Sequence, residues 1–283
     1  MNFELFTRFL IVALPIFVTG CTGSAYKLPP VSSQEMSLIQ NEIDADTSEL
    51  KIYKRSDANY KSRIAKISTR LQKNAAPLCE ISEYAPCHFE VNYNNENTIN
   101  AVAYEHYKIT VYKGLLQYLK NDDEIAAVIG HEMGHHLAHH NKEQLQNAQA
   151  GAAISGVLTA VLIGAANANN PYYNAYQQQQ DQQTLQNMMV AGAEIGAISY
   201  SKEQEREADL LGAYLLKHSG YNLESAQNMM YVLSRLNGDP VAGKAALLDT
   251  HPPSAQRVVA WSKAIEEIEG NETKLPYLKS NKQ

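Results

Sequence analysis

Two histidines four residues apart, with a glutamate directly after the first, are the residues in this sequence best suited to chemistry. They form His131-Glu132-Met133-Gly134-His135, which fits the pattern HExxH. On a helix, positions i and i+4 lie one above the other, so both imidazoles can meet one metal ion. Zinc lowers the pKa of a bound water, and Glu132 can remove its proton as the water attacks a carbonyl carbon. The pattern predicts a zinc site with Glu132 as catalytic base.

A catalytic zinc ion needs a third protein ligand and an open position. His139 continues the i+4 series, but a third histidine along one helix would lie too far from an ion held by the first two. A later acidic segment offers two carboxylate pairs at helical spacing, Glu203 with Glu207 and Glu205 with Asp209. The third ligand is therefore expected from this segment, unless the segment is an exposed charged helix face.

Side-chain size favours Glu205 over Glu203. The small residues Ala208 and Gly212 follow Glu205 at one and two turns, so this face can press against the HExxH helix. An arginine follows Glu203 at one turn, and a cation is a poor neighbour for a zinc ion. We therefore predict Glu205 as the third ligand, with Asp209 one turn below it, orienting a ligand imidazole.

Hydrophobic spacing predicts a mostly helical chain with one small sheet around this site. The expected helices are 57–74, 114–120, 123–140, 188–216, 223–237 and 254–268, and the expected strands are 88–93, 98–104 and 107–112.

Composition sets wider bounds. The 283 residues are 45% hydrophobic and 19% charged, as in an ordinary globular protein. The net charge of −6 argues against a nucleic-acid partner, because such proteins usually carry a basic patch.

Residues 1–20 have the layout of a secretory signal peptide. Arg8 precedes a short apolar run that ends in Val-Thr-Gly-Cys. This ending resembles the bacterial lipobox, in which the cysteine, here Cys21, is lipidated; the alternative is a plain secretory signal with a chance cysteine. Residues 21–56 are then a lipidated N-terminus and tether. The two remaining cysteines, Cys79 and Cys87, are expected to form a disulfide in an oxidising compartment.

An insertion at 143–187 separates the two proposed ligand segments. No Lys or Arg occurs between Glu143 and Ser201, and 150–168 is uncharged and rich in Ala and Gly. A transmembrane segment is one interpretation, and a helical hairpin with a flexible polar tip at 167–183 is favoured over it. The tip is expected to act as a lid over the site or as a spacer.

The HExxH segment followed about seventy residues later by Glu205-Arg206-Glu207-Ala208-Asp209 resembles the HtpX-like and CAAX-prenyl-protease-like zinc metallopeptidases, over about 57–268. In that family the glutamate four residues before the aspartate is the third ligand. The resemblance implies an α+β, mostly helical, gluzincin-type domain with one small β-sheet and an HExxH active-site helix. We assign this domain to 57–270 and a C-terminal tail to 271–283.

The family's Asn-Ala-x-Ala strand is matched by Asn100, Ala101, Val102 and Ala103. The resemblance implies that an extended substrate peptide adds to this edge strand by backbone hydrogen bonds. The hairpin after it reads Glu105-His106, where many relatives have Gly-Gly, which affects the rim of the substrate cleft.

The family's C-terminal His-Pro…Arg is matched by His251 and Arg257. His251 could donate to the oxyanion of the tetrahedral intermediate, ligate zinc and close the site, or simply cap a helix. Arg257 could serve the oxyanion or pair with Asp209 or another buried carboxylate.

The resemblance, with the lipoprotein signal, implies a periplasmic member with one Zn²⁺ per chain. Because Thr22 is not the aspartate that retains lipoproteins in the inner membrane, the expected location is the periplasmic face of the outer membrane, anchored through Cys21. The expected function is endoproteolysis of misfolded or misassembled periplasmic and outer-membrane proteins. The outer-membrane assembly machinery is an expected partner. The alternative is a chaperone or assembly factor with little proteolysis, which the intact Glu132 disfavours.

Overall fold

A computed structural model gives the fold of residues 24–82, 87–197, 200–238, 246–271 and 275–279. The predicted signal peptide and Cys21 lie outside these described residues.

The described chain is mostly helical with one three-stranded sheet, as predicted. Its helices are α1 (Ser33–Ala45), α2 (Asp57–Asn74), α3 (Ala76–Ile81), α4 (Lys113–Leu116), α5 (Asp122–Leu137), α6 (His140–Asn167), α7 (Ala175–Gly196), α8 (Lys202–His218), α9 (Leu223–Gly238), α10 (Ala246–Thr250) and α11 (Ala255–Gly270). Its strands are β1 (Glu90–Asn94), β2 (Ala101–Tyr104) and β3 (Lys108–Tyr112).

The sheet has the order β1-β3-β2, with β1 parallel and β2 antiparallel to the central strand. Asn100 accepts a backbone hydrogen bond from Tyr112 at 3.1 Å, which fixes the register of β2. A short turn joins β2 to β3, and within it His106 has a φ of 59°. Because that left-handed region favours glycine, His106 holds a backbone conformation that non-glycine residues adopt infrequently.

Helix α5 runs through the core, and α8 packs closely along it. Every residue of α5 from Glu124 to Leu137 is buried. A Cβ atom added at Gly134 would overlap the backbone of Ala208, and one added at Gly212 would lie 3.0 Å from the carbonyl carbon of Gly130. The small residues noted in the sequence therefore set the distance between these helices. Helix α2 has its predicted bounds and buries Tyr60, Ile64, Ile67 and Leu71 against this core.

Helices α6 and α7 form the predicted hairpin, which is longer than the 143–187 insertion. Helix α6 is long and apolar enough to cross a membrane by length and composition, with a mean hydropathy of 1.6, and only 11% of its most apolar window is buried, so it is not a helix of the domain core. Its partner α7 begins with a capping box at Asn174 and carries a polar Gln-rich first half. The structure therefore shows a helical hairpin at this position.

Two helix boundaries differ from the prediction. The helix expected at 123–140 ends at Leu137, because His139 adopts a left-handed conformation with φ of 60° and α6 starts directly after it. The helix expected at 188–216 is divided into α7 and α8. Ser201 starts α8 with a capping box to Gln204, which supplies hydrogen-bond partners for a new helix end.

Both terminal segments pack against the domain where the structure describes them, so they differ from the predicted tether and tail. Ser32 and Glu35 form a capping box that starts the unpredicted helix α1. Tyr26, only 2% exposed, forms an isolated antiparallel bridge with Leu278. The predicted disulfide between Cys79 and Cys87 is present, with the Cα atoms 5.9 Å apart.

Candidate active site

Helix α5 buries three side chains of the HExxH segment, with His131 and His135 on one face and Glu132 next to His131 in the chain. Asn121 caps its first turn, which also carries acidic residues that stabilise a helix N-terminus. The Nε2 atoms of His131 and His135 lie 3.1 Å apart. The rings are 4% and 0% exposed, and Glu132 is 1% exposed. The two imidazoles can therefore meet one ion, as the i, i+4 spacing predicts.

Glu205 reaches these histidines from α8. Its Oε2 lies 3.5 Å from His131 Nε2, and its Oε1 lies 3.3 Å from His135 Nε2. Glu205 is 1% exposed, whereas Glu203 on the same turn is exposed. The structure thus places Glu205 beside the histidines and Glu203 away from them.

His251 closes the group from the loop between α10 and α11. Its Nδ1 lies 3.2 Å from His131 Nε2 and 2.9 Å from Glu205 Oε1. The candidate ligand atoms of His131, His135, Glu205 and His251 all lie within 4.8 Å of one another. Ligands about 2.0–2.1 Å from a tetrahedral zinc ion are about 3.3 Å apart, so the spacing of these nitrogens and oxygens fits one such ion.

Asp209 and Arg257 lie directly behind this group. Asp209 Oδ1 is 2.9 Å from His131 Nδ1, the nitrogen that faces away from the other histidine. The Arg257 guanidinium binds both oxygens of Asp209, each at 2.8 Å, and its third nitrogen lies 2.6 Å from Glu205 Oε2. The arginine is therefore paired with two buried carboxylates, which is the second of its two expected roles.

The charges shift the pKa values of this cluster strongly. Burial alone would lower the pKa of His131, but the carboxylates of Glu205 and Asp209 outweigh it and raise that pKa to about 9. Burial, together with the neighbouring charge of His131, holds the pKa of His135 well below its usual range. Burial would raise the pKa of Glu205, but Arg257 and the histidines hold it well below its usual range. The pocket therefore attracts a cation at the position where the four ligand atoms meet.

Comparison with known protein families identifies the family to which this chain belongs. Residues 63–265, well over half of the chain, match peptidase family M48. The chain belongs to this family. It is a metalloprotease, and its His/Glu cluster is suited to a divalent metal ion.

Relatives of this M48 peptidase are similar at low identity. Metalloprotease YcaL of Escherichia coli (strain K12) is 26% identical over 236 residues, which cover 83% of this chain and 81% of YcaL. Mitochondrial metalloendopeptidase OMA1 of Arabidopsis thaliana is 31% identical over 63% of this chain and 32% of OMA1. A beta-barrel assembly-enhancing protease of Yersinia pestis is 28% identical over 59% of this chain and 32% of that protein. The matched segment therefore spans about a third of the latter two relatives.

The predicted substrate strand of this M48 peptidase lies at the edge of the sheet. In the described part of the chain β2 pairs with β3 alone. On the outward side, the carbonyl of Ile99, just before β2, accepts a hydrogen bond from the Leu247 backbone at 3.3 Å, and that of Ala103 accepts one from the Asn141 side chain at 2.9 Å. Ala101 lies between these two covered positions.

Two residues near the site were not found from the sequence. Tyr200 stacks on His135 with ring centroids 3.8 Å apart, and burial raises its pKa. His140 contacts His135, and Glu207, which the sequence indicated only as a member of a carboxylate pair, contacts His140. Neither Tyr200 nor His140 stands at helical spacing from a ligand, so no pattern indicated them; the left-handed His139 is what turns His140 back towards the site.

Proposed function

We propose that this protein is a zinc-dependent endopeptidase in which His131, His135 and Glu205 hold the ion and Glu132 is the general base. The observation that carries the proposal is the convergence of these buried ligand atoms at spacings that suit a tetrahedral ion. Glu132 Oε2 is buried and has no hydrogen-bond partner among the described residues. A carboxylate oxygen that is buried and has no hydrogen-bond partner is available to take a proton during the reaction, as a general base must.

A bound zinc ion would act as a Lewis acid on the scissile carbonyl and on the attacking water. Glu132 then removes a proton from that water and delivers it to the leaving amine. Asp209 accepts a hydrogen bond from His131 Nδ1–H, which leaves Nε2 of that ring free to ligate. Arg257 holds Asp209 and Glu205 in place and offsets part of their negative charge. We therefore assign it a structural role rather than contact with the oxyanion.

We place the substrate peptide beside β2, antiparallel or parallel to Asn100–Ala103. The alternation of the ladder turns the peptide group of Ala101 and the N–H of Ala103 away from β3, where an added strand can bond to them. The Ala103 carbonyl already accepts a hydrogen bond from Asn141. The side-chain oxygen of Asn100 is buried without a hydrogen-bond partner in the described chain, so it can accept a further bond from substrate. Backbone recognition of this kind requires little side-chain specificity.

We assign His251 the role of a gate, since its Nδ1 occupies the position of a fourth ligand. A closed fourth position leaves no room for water, so His251 must move before catalysis. Replacing His251 by Ala should therefore raise peptidase activity. A loss of roughly a hundredfold would instead indicate an oxyanion donor, and an unchanged rate would exclude both roles.

We further propose that the protein acts in the bacterial cell envelope, on misfolded or misassembled periplasmic and outer-membrane proteins. The N-terminal signal and lipobox-like Cys21 support export and anchoring to the periplasmic face of the outer membrane. The name of the beta-barrel assembly-enhancing relative supports substrates or partners in outer-membrane assembly. The 167–183 tip lies about 40 Å along α6 from His140, so we propose that it acts as a spacer rather than as a lid over the site.

Turnover of casein by the purified protein, with and without a chelator, tests the enzymatic part of this proposal. We expect cleavage that the chelator abolishes and added Zn²⁺ restores. Membrane fractionation of Cys21→Ser tests the location, and the variant should be released into the soluble periplasm. Casein cleavage that persists after metal removal would contradict the proposed zinc-dependent activity. Retention of Cys21→Ser in the membrane fraction would contradict the proposed lipid anchor.

A further inference from the structure

The segment that precedes α1 is bonded to the helix that carries Glu205. We call residues 24–29 the N-terminal strap. The backbone N–H groups of Ala25 and Tyr26 donate to Glu207 Oε1 at 2.8 and 3.2 Å. At the other end of the strap, the carbonyl of Pro29 accepts a hydrogen bond from Arg206. The strap thus lies along the first turns of α8.

Glu207 connects this strap to a histidine of the candidate metal site. Its second oxygen, Oε2, lies 3.0 Å from His140 Nε2. The other ring nitrogen of His140, Nδ1, lies 3.0 Å from His135 Nδ1. These three side chains are 3%, 1% and 0% exposed, so water is excluded from the connection. A continuous series of buried hydrogen bonds therefore runs from the strap to His135.

The direction of each hydrogen bond follows from the metal site. His135 presents Nε2 to Glu205 and His131, so this nitrogen must be unprotonated to ligate an ion. Its Nδ1 then carries the proton and donates to His140 Nδ1. His140 must in turn carry its proton on Nε2, which donates to Glu207 Oε2. The carboxylate accepts at both ends, because the strap supplies backbone donors to its other oxygen.

We propose that His140, Glu207 and the N-terminal strap are positioning groups that fix His135 in its metal-binding tautomer, so that the strap is a structural part of the metal centre. This inference rests on the proposed assignment of His135 as a ligand. His131 receives its orientation directly from Asp209. For His135 the carboxylate of Glu207 acts through the imidazole of His140. Glu207 is itself held by backbone N–H groups of the strap, which lies about 180 residues away in sequence.

Glu207→Gln tests the relay because glutamine has nearly the same shape but one donor in place of an acceptor. In either orientation of the amide, its NH₂ group faces a donor: His140 Nε2–H or the N–H groups of the strap. The expected result is a 10- to 100-fold weaker zinc affinity, the usual loss when such an outer partner is removed. Glu203→Gln is the matched control, since it makes the same change at an exposed position of α8 and should bind zinc like the wild type.

A second pair of variants tests the strap without altering Glu207. Ala25→Pro removes one N–H group that donates to Glu207 Oε1 and should weaken zinc binding in the same direction, by less than Glu207→Gln. Lys27→Pro is its control, because the N–H of Lys27 donates at 2.7 Å to the Tyr277 carbonyl and not to Glu207. If Glu207→Gln does not fold, the comparison of Ala25→Pro with Lys27→Pro decides whether the strap supports zinc binding.

Zinc affinity is measured on the full-length chain by competition with a chelator, at a temperature where circular dichroism shows that all compared variants are folded. The visible absorption of Co²⁺ bound in place of zinc gives a second readout, which should change in Glu207→Gln and Ala25→Pro but not in their controls. Wild-type protein that binds neither ion would overturn the proposed zinc site and the relay with it. Tight wild-type binding that Glu207→Gln and Ala25→Pro both retain would overturn the relay alone.

Discussion

Helices α5 and α6 follow one another in the chain with only Ala138 and the left-handed His139 between them, yet their surroundings differ sharply. All side chains of α5 from Glu124 onwards are buried, including charged and polar ones. On α6, the described buried residues are His140, Gly156 and Thr159, while Val157 and Leu162 are 65% and 68% exposed. One helix lies in the centre of the domain and the other projects from it.

This difference separates the two tasks of the molecule. The ligand atoms must stay within a few tenths of an ångström of their positions, and the close contact of α5 with α8 provides that rigidity. The hairpin is held chiefly by contact between its own two helices, as where Ser155 and Gly151 approach Gly192. Substitutions around the metal centre should therefore be costly, and matched substitutions on the hairpin or surface should not.

The largest stability effect is expected at Arg257. Arg257→Ala leaves the buried carboxylates of Asp209 and Glu205 without their cation, and breaking one side of a buried ion pair costs about 3–5 kcal/mol. Lys263→Ala is the control, because this lysine pairs with Glu35 and Glu266 at the surface, where solvent screening leaves such pairs little effect on stability. Urea unfolding measures the loss in free energy of unfolding for each variant. Equal losses in the two variants would contradict the comparison.

The same truncation at two leucines sharpens the comparison further. Leu211 on α8 is fully buried, so Leu211→Ala should lower the free energy of unfolding by about 2–5 kcal/mol. Leu162 on α6 is 68% exposed, so Leu162→Ala should change it by no more than about 0.5 kcal/mol. A loss at Leu162 as large as that at Leu211 would show that the hairpin face is covered in solution.

The smallest effect, and one that changes sign, is expected at two glycines. A Cβ atom at Gly134 would overlap the Ala208 backbone, so Gly134→Ala should destabilise the protein by about 1–3 kcal/mol. Gly164 on α6 has open space around the same atom, so Gly164→Ala should stabilise the helix by about 0.5–1 kcal/mol. Thermal unfolding of both variants checks the signs, and a stable Gly134→Ala would refute the close-packing argument.

The sequence predicts the parts of this structure that repeat with a regular period. Helix α2 has its predicted bounds because its apolar residues recur at helical spacing and the cap at Ser56 is local. The placement of Glu205 followed from the small residues on its face of α8. The division at Ser201 and the break at His139 were not predicted, because helical patterns continue through both positions.

Contacts between distant segments were beyond the reach of sequence patterns. Tyr200 belongs to no motif, and its contact with His135 depends on how the chain enters α8. The strap joins Glu207 through backbone N–H groups, which every residue except proline carries. Such donors leave no sequence signal, so only the fold shows where they point.

The most direct test of the metal centre compares two glutamates that share it. Glu132→Gln removes the proposed base and leaves all ligands in place, so this variant should retain nearly one zinc ion per chain and lose peptidase activity. Glu205→Gln removes a ligand and should lose both, while Glu203→Gln should lose neither. Zinc content by mass spectrometry and casein turnover on the same preparations give both values. Loss of zinc in Glu203→Gln with retention in Glu205→Gln would contradict the account.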